Sequence, residues 1–124
     1  MKVIGIIPAR FESSRFHGKP LAEILSKPMI WWVYNQVKKV KELSEVYVAT
    51  DDERIVSECE KYGIKAVMTS NKHKAVFNRI QEFSDIISAD FYVVINGDEP
   101  LINPEHIKSV IKPEIVKDYV LNTI

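Results

Sequence analysis

The sequence is short of the residues that most often announce a phosphate-binding or disulfide-built protein, with only four glycines and one cysteine. A single thiol, Cys59, excludes an internal disulfide. It falls at helical spacing with Ile55 and Tyr62, so it reads as a small core residue rather than a nucleophile. None of the glycines forms G-x-G-x-x-G. Gly18-Lys19 is followed by Pro20, and Ser occupies position 13, so there is no Walker A loop either. An excess of either charge sign is also missing. Seventeen Lys plus Arg balance seventeen Asp plus Glu, which excludes the global basic footprint of a nucleic-acid binder but leaves room for a local cluster. There is no apolar run long enough to cross a bilayer. The opening Met1-Lys2-Val3-Ile4-Gly5 lacks signal-peptide architecture. A cytoplasmic protein without membrane or nucleic-acid partners is the expectation. What remains is ordinary globular composition, 46% hydrophobic and 27% charged over 124 residues, enough for one domain with one core.

Strand and helix signals alternate along the chain. Residues 2–7 form a β-branched run that reads as a first strand. Pro28 then suits the first turn of a helix, with Ile30, Val33, Tyr34, Val37 and Val40 on one face. Residues 45–50 are a second strand. Asp51, Asp52 and Glu53 place negative charge at the next helix start, where the dipole favours it and a cap is expected. Ile55, Cys59 and Tyr62 line that helix, and Gly63 ends it. Residues 65–68 are a short third strand. Val76, Ile80, Phe83 and Ile87 mark a third helix, and residues 91–96 a fourth strand apolar enough for burial on both faces. Pro104 opens a short helix to about Ile111. This order predicts an α/β fold, an open parallel sheet with strands in the order 3-2-1-4 and helices on both faces. The order reverses between strands one and four, so the loops after them, residues 8–20 and 97–103, should share one crevice. Residues 116–124 read as a further strand, and a domain rarely ends on one. The expectation is therefore that residues 1–124 are part of something longer.

The chemistry concentrates in those two loops. The first carries Arg10, Arg15 and Lys19. Three basic residues in a short stretch are by themselves routine solvated charges. Directly after a first strand they point to a polyanion, most simply a nucleotide triphosphate. The second loop, Asn96-Gly97-Asp98-Glu99-Pro100, is by itself a common Gly-Asp turn. Opposite a cationic loop, its carboxylate is placed to hold Mg²⁺ bridging phosphate oxygens.

Ile6-Ile7-Pro8-Ala9-Arg10, Ser14-Arg15, Gly18-Lys19-Pro20-Leu21 and Lys27-Pro28-Met29-Ile30 resemble the opening of the sugar-acid cytidylyltransferases. Val48-Ala49-Thr50-Asp51-Asp52, Met68-Thr69-Ser70 with His73, and Gly97-Asp98-Glu99-Pro100-Leu101-Ile102 keep the family's order and spacing. The likeness is greatest to the branch acting on 3-deoxy-manno-octulosonate. It implies a Rossmann-like sheet of the nucleotide-diphospho-sugar transferase type, CTP and Mg²⁺ as ligands, and transfer of CMP to an acidic sugar with release of pyrophosphate, in lipopolysaccharide biosynthesis. It implies Arg10, Lys19 and Asp98 as catalytic residues and Asp98 as the metal ligand. Pro8, Ala9, Arg10, Arg15, Lys19, His73, Arg79, Asn96 and Asp98 would contact CTP. Full-length members imply a homodimer, and they run roughly twice as long, with most of the sugar pocket in the half that this chain lacks.

One stretch departs from that pattern. After His73 the branch carries Ser-Gly-Thr-x-Arg, whereas this chain has Lys74-Ala75-Val76-Phe77-Asn78-Arg79, with only the arginine in register. Residues 75–79 are closer to the spore-coat polysaccharide branch, which leaves the base and the sugar open. A structural role competes with nucleotide contact for Arg79, and a surface or capping role for His73. His17 reads as a loop-packing residue and His106 as a solvated one. Trp31 and Trp32 are consecutive, so one helix face cannot bury both. Two other readings stay open, a nucleotide-sugar-dependent glycosyltransferase and a non-catalytic nucleotide-binding half-domain.

Overall fold

The computed structural model describes residues 2–11, 18–70, 76–95, 103–109 and 119–122. Strand β1 (Val3–Ala9) leads through a 3-10 turn (Lys19–Leu21) into a two-stranded hairpin, β2 (Glu23–Ile24) and β3 (Lys27–Pro28). Helix α1 (Met29–Lys38), strand β4 (Glu45–Thr50), helix α2 (Glu53–Lys61), strand β5 (Ala66–Met68) and helix α3 (Val76–Ile86) follow. The chain continues through β6 (Phe91–Val94), α4 (Pro104–Ser109) and β7 (Tyr119–Asn122). No helix among the described residues is long and apolar enough to cross a membrane.

The main sheet has the order β5-β4-β1-β6-β7, and every pairing in it is parallel. The four strands expected from sequence thus take the expected order, and the tail adds the fifth beside β6. Side chains alternate between the two faces, as the two-residue period of a strand requires. Val3 and Ile7 of β1, Val46 and Val48 of β4, and Phe91 and Val93 of β6 share one core with Ile30, Val33 and Val37 of α1, Ile55 and Cys59 of α2, and Ile107 of α4. Ile4, Ile6, Ala49, Tyr92 and Val94 pack on the other face against Ile80 and Phe83 of α3. Each fully buried aliphatic or aromatic side chain here contributes on the order of 1.5–3 kcal/mol. Gly5 belongs to the α1 face. A Cβ there would meet Leu43 at 3.0 Å and Val37 at 3.4 Å, so its missing side chain lets that layer close over the strand. On the α3 face the Tyr92 hydroxyl donates to the Ile87 carbonyl at 2.6 Å and accepts from the Ala89 amide at 3.0 Å, closing the turn between α3 and β6.

Local chemistry explains the helix ends. Asp52 is the N-cap of α2, its carboxylate accepting from the Arg54 amide at 2.8 Å, and Gly63 follows with φ +71°, as a C′ glycine does. Three of the differences from expectation lie near the end of β1 and the start of α1. Pro28 ends β3 and is the N-cap of α1 rather than a residue of its first turn. The hairpin itself was not signalled, because its two turn residues, Leu25 (φ 50°) and Ser26 (φ 74°), are not the Asn and Gly that such turns favour. The first strand also runs two residues further than its β-branched run, through Pro8 and Ala9. The Ile6 carbonyl accepts from the Ile95 amide at 2.8 Å, so Ile6 faces β6, and Pro8, two residues on, faces the same way. The β1–β6 register ends at Ile6↔Val94. Proline's missing N–H therefore falls where no described strand needs a donor.

Candidate active site

The described registers on the two flanks of β1 end at different points. β4 accompanies β1 as far as Ala9↔Thr50, whereas among the described residues the pairing with β6 ends at Ile6↔Val94. Past that point one flank of β1 has no strand partner among the described residues. This gap lies at the carboxyl ends of the strands and between the two strands where the order reverses, the place at which open α/β sheets bind ligands.

Arg10 leaves β1 at this gap and is exposed. Lys19 lies in the 3-10 turn. The Gly18 amide donates to the Phe11 carbonyl at 2.5 Å, so the two cations leave the backbone on either side of one hydrogen-bonded pair. Gly18 is required there twice over. Its φ is +74°, and a Cβ would lie 2.9 Å from the Phe11 ring. The other side of this junction is α2. The Arg54 guanidinium carbon sits 3.3 Å from the centroid of the Phe11 ring. Its Nε and Nη2 donate to the Asp52 carboxylate at 2.9 and 2.7 Å. That fork, the largest influence on it, holds the Asp52 carboxyl below its ordinary pKa.

Arg79 stands further along the same edge of the sheet, on α3, and is 2% exposed. Its Nη1 donates to Thr69 Oγ1 at 2.6 Å, and its Nη2 lies 3.5 Å from Asp51 Oδ2. Thr69 in turn donates from Oγ1 to the Thr50 carbonyl at 3.2 Å. Next along the chain, the Ser70 amide donates to Glu82 at 2.9 Å. Arg79 and Glu82 thus tie α3 to the carboxyl ends of β4 and β5.

Of the residues expected at the site, Pro8, Ala9 and Arg10 lie together at the end of β1, with Lys19 joined to them through the Phe11–Gly18 pair. Arg79 lies at the ends of β4 and β5. Arg15, His73, Asn96 and Asp98 fall outside the described residues, as does His17. Among the described residues no three His, Cys, Asp or Glu side chains gather to hold a metal ion. Cys59 is fully buried on α2, and burial pushes its thiol up to about 12, in keeping with a core role. His106 is exposed. Trp31 and Trp32 are both half-buried and meet edge to face at 4.8 Å. Trp32 Nε1 donates to the Ile24 carbonyl at 2.7 Å, which holds the hairpin on α1. Sequence reasoning missed Phe11 and Arg54. A Phe beside a cationic loop and an Arg in the first turn of a helix carry no signal until the fold brings them together.

The sheet order is that of an open α/β domain of the nucleotide-diphospho-sugar transferase type. The family model described as "Cytidylyltransferase" matches residues 4–117, and the chain belongs to that family. It is similar to 3-deoxy-manno-octulosonate cytidylyltransferase of Geotalea uraniireducens, 47% identical over 91% of this chain and 45% of the relative. The enzyme of the same name from Escherichia coli is 41% identical over 90% of this chain and 45% of its own length. Among solved structures, CMP:2-keto-3-deoxy-manno-octonic acid synthetase complexed with CTP superposes with a TM-score of 0.86. It is 42% identical over 89% of this chain and 46% of that one. The chain spans about half the length of the curated relatives that it matches.

Proposed function

We propose that this chain is the nucleotide-binding part of a cytidylyltransferase. The whole protein would transfer CMP from CTP to an acidic sugar of the 3-deoxy-manno-octulosonate class, for lipopolysaccharide biosynthesis. The observation that carries the reading is the match in fold and sequence to a synthetase solved with CTP. It is supported by Arg10 following the end of β1, with Lys19 next to it through the Phe11–Gly18 pair. In the reaction the sugar's anomeric oxygen attacks the α-phosphorus of CTP in line. The new P–O bond joins CMP to the sugar as the anomeric hydroxyl gives up its proton, the bond to the β-phosphate breaks, and pyrophosphate leaves with that electron pair. Arg10, Arg15 and Lys19 bind the triphosphate and offset the charge that builds on the leaving group. Pro8 and Ala9 supply backbone at the crevice floor, and His73 and Asn96 contact the nucleotide. Arg79 acts through Thr69, and Glu82 through the Ser70 amide, to steady the segment that leads to His73. The hard carboxylate oxygens of Asp98 suit Mg²⁺, which when bound neutralises phosphate charge.

Calorimetric titration of CTP with Mg²⁺ into this chain tests the reading. Arg10→Ala and Lys19→Ala should each weaken binding about ten-fold, the worth of one charge-assisted phosphate contact. In a protein spanning the relatives' length, Asp98→Asn should abolish pyrophosphate release while leaving the fold intact, since the amide keeps the shape but loses the charge. CTP affinity unchanged in both cation variants would remove this loop from the site.

A further inference from the structure

We propose that Phe11 and Arg54 form a clamp that positions the cations of the crevice, with Arg54 acting as a positioning residue and not as a phosphate ligand. The inference rests on the reading of the crevice as a triphosphate site. Arg54 lies in the first turn of α2, close in space to that site, and a basic residue there is easily taken for another phosphate contact. Its geometry argues otherwise. Both Nε and Nη2 are engaged by the Asp52 carboxylate, and the guanidinium carbon lies over the Phe11 ring, 3.3 Å from its centroid. A guanidinium stacked and forked in this way has its charge offset by an adjacent carboxylate. It presents the ring with a flat, fixed surface.

Phe11 transmits that placement. It directly follows Arg10, its carbonyl accepts from Gly18, and its ring edge occupies the space that a Cβ on residue 18 would need. Gly18 directly precedes Lys19. A ring free to turn away would release the contact with Gly18, and the two cations would no longer be held at one separation. Asp52 anchors the other end, because the carboxylate that holds Arg54 also caps α2. The path therefore runs from the rigid carboxyl end of β4 through Asp52, Arg54 and Phe11 to Arg10 and Lys19. An anion would meet cations already in place, and the ordering cost at binding falls accordingly.

The test uses inorganic tripolyphosphate, titrated into this chain by calorimetry, with urea unfolding measured on every variant. Phe11→Leu keeps an apolar side chain but removes the π face, and Arg54→Gln removes the charge from a side chain that is 60% exposed, so both should fold. Each should weaken tripolyphosphate about two- to five-fold, the loss expected when one partly exposed cation–π contact is removed. The double variant should be no weaker than the worse single variant, because the two residues act as one contact. Phe11→Tyr, which keeps the π face, should bind like the parent. Additive losses in the double variant would show that Arg54 contacts the anion itself and would overturn the clamp. Unchanged affinity in both single variants would overturn it too, while tripolyphosphate binding by the parent left the triphosphate reading standing. A parent that binds neither tripolyphosphate nor CTP would remove both.

Discussion

Truncating Arg79 is the sharpest test of how this sheet edge is built. Arg79→Ala deletes a side chain that is 2% exposed, together with its 2.6 Å bond to Thr69 and its pairing with Asp51 at 3.5 Å. Breaking a buried ion pair by removing one partner costs about 3–5 kcal/mol. Asp51 keeps 18% of its side chain exposed, so water can partly replace the guanidinium, and Thr69 keeps its own bond to the Thr50 carbonyl. These two facts move the expected loss to the lower end, about 3 kcal/mol, including the void left by the aliphatic stem. Arg79→Met refills most of that void without the charge and should recover about half of the loss. Adding Asp51→Asn to Arg79→Met should recover more, because the unpaired carboxylate is then gone. Urea unfolding at constant m-value reads all of these. A loss within about 0.5 kcal/mol of the parent for Arg79→Ala, the range of an ordinary surface change, would refute the argument that this arginine holds α3 to the ends of β4 and β5.

The hairpin turn offers the opposite sign. Leu25 and Ser26 both sit at positive φ, and Leu25 is 82% exposed, so Leu25→Asn with Ser26→Gly should stabilise the chain by about 1–2 kcal/mol, read as a higher urea midpoint. For Tyr47, the hydrogen bond to Glu45 is the main reason that its hydroxyl is raised from 10.0 to about 12. A phenol held protonated in the fold adds stability that is fully present below pH 10 and lost as pH rises through about 12. Tyrosinate absorbance should show one group titrating at about 12, and Glu45→Gln should bring that group down towards the ordinary tyrosine value.

Much of the architecture was legible because it rests on burial. β-branched runs gave the strands, 3.6-residue spacing gave the helices, and the preference for right-handed crossovers ordered the sheet. Asp52 and Gly63 marked the ends of α2 because their chemistry is local. The hairpin was hidden for the converse reason. Leu25 and Ser26 occupy a backbone conformation that neither favours, held there by neighbours such as Trp32, whose ring nitrogen bonds the Ile24 carbonyl. The extension of β1 through Pro8 was hidden because proline ordinarily ends a strand. Only the register shows that its absent N–H faces a flank without a described partner. That Arg10 and Lys19 would lie together at the end of β1 was legible, since both flank the loop that follows the first strand. The stack of Arg54 on Phe11 was not, because it joins segments that only the β1–β4 pairing brings together.

The arginines of this chain illustrate why residue type alone could not sort the site. Arg79 is buried and spent on Thr69 and Asp51. Arg54 is mostly exposed, yet its guanidinium is stacked on Phe11 and forked onto Asp52. Arg10 is exposed at the end of the strand on which the crevice opens. The three carry the same charge but stand on different elements and at different depths. An arginine paired with aspartate has its field offset at short range and serves to fix geometry, which is why Arg54 and Arg79 sit where strands β4 and β5 end and helices must be held. A triphosphate needs cations within reach of its oxygens, and it needs them at a fixed spacing. The hydrogen bond between Phe11 and Gly18 supplies the spacing for Arg10 and Lys19. Arg54 and Arg79 hold the edge of the sheet around them, so on the proposed reading binding and support fall to different residues of like charge.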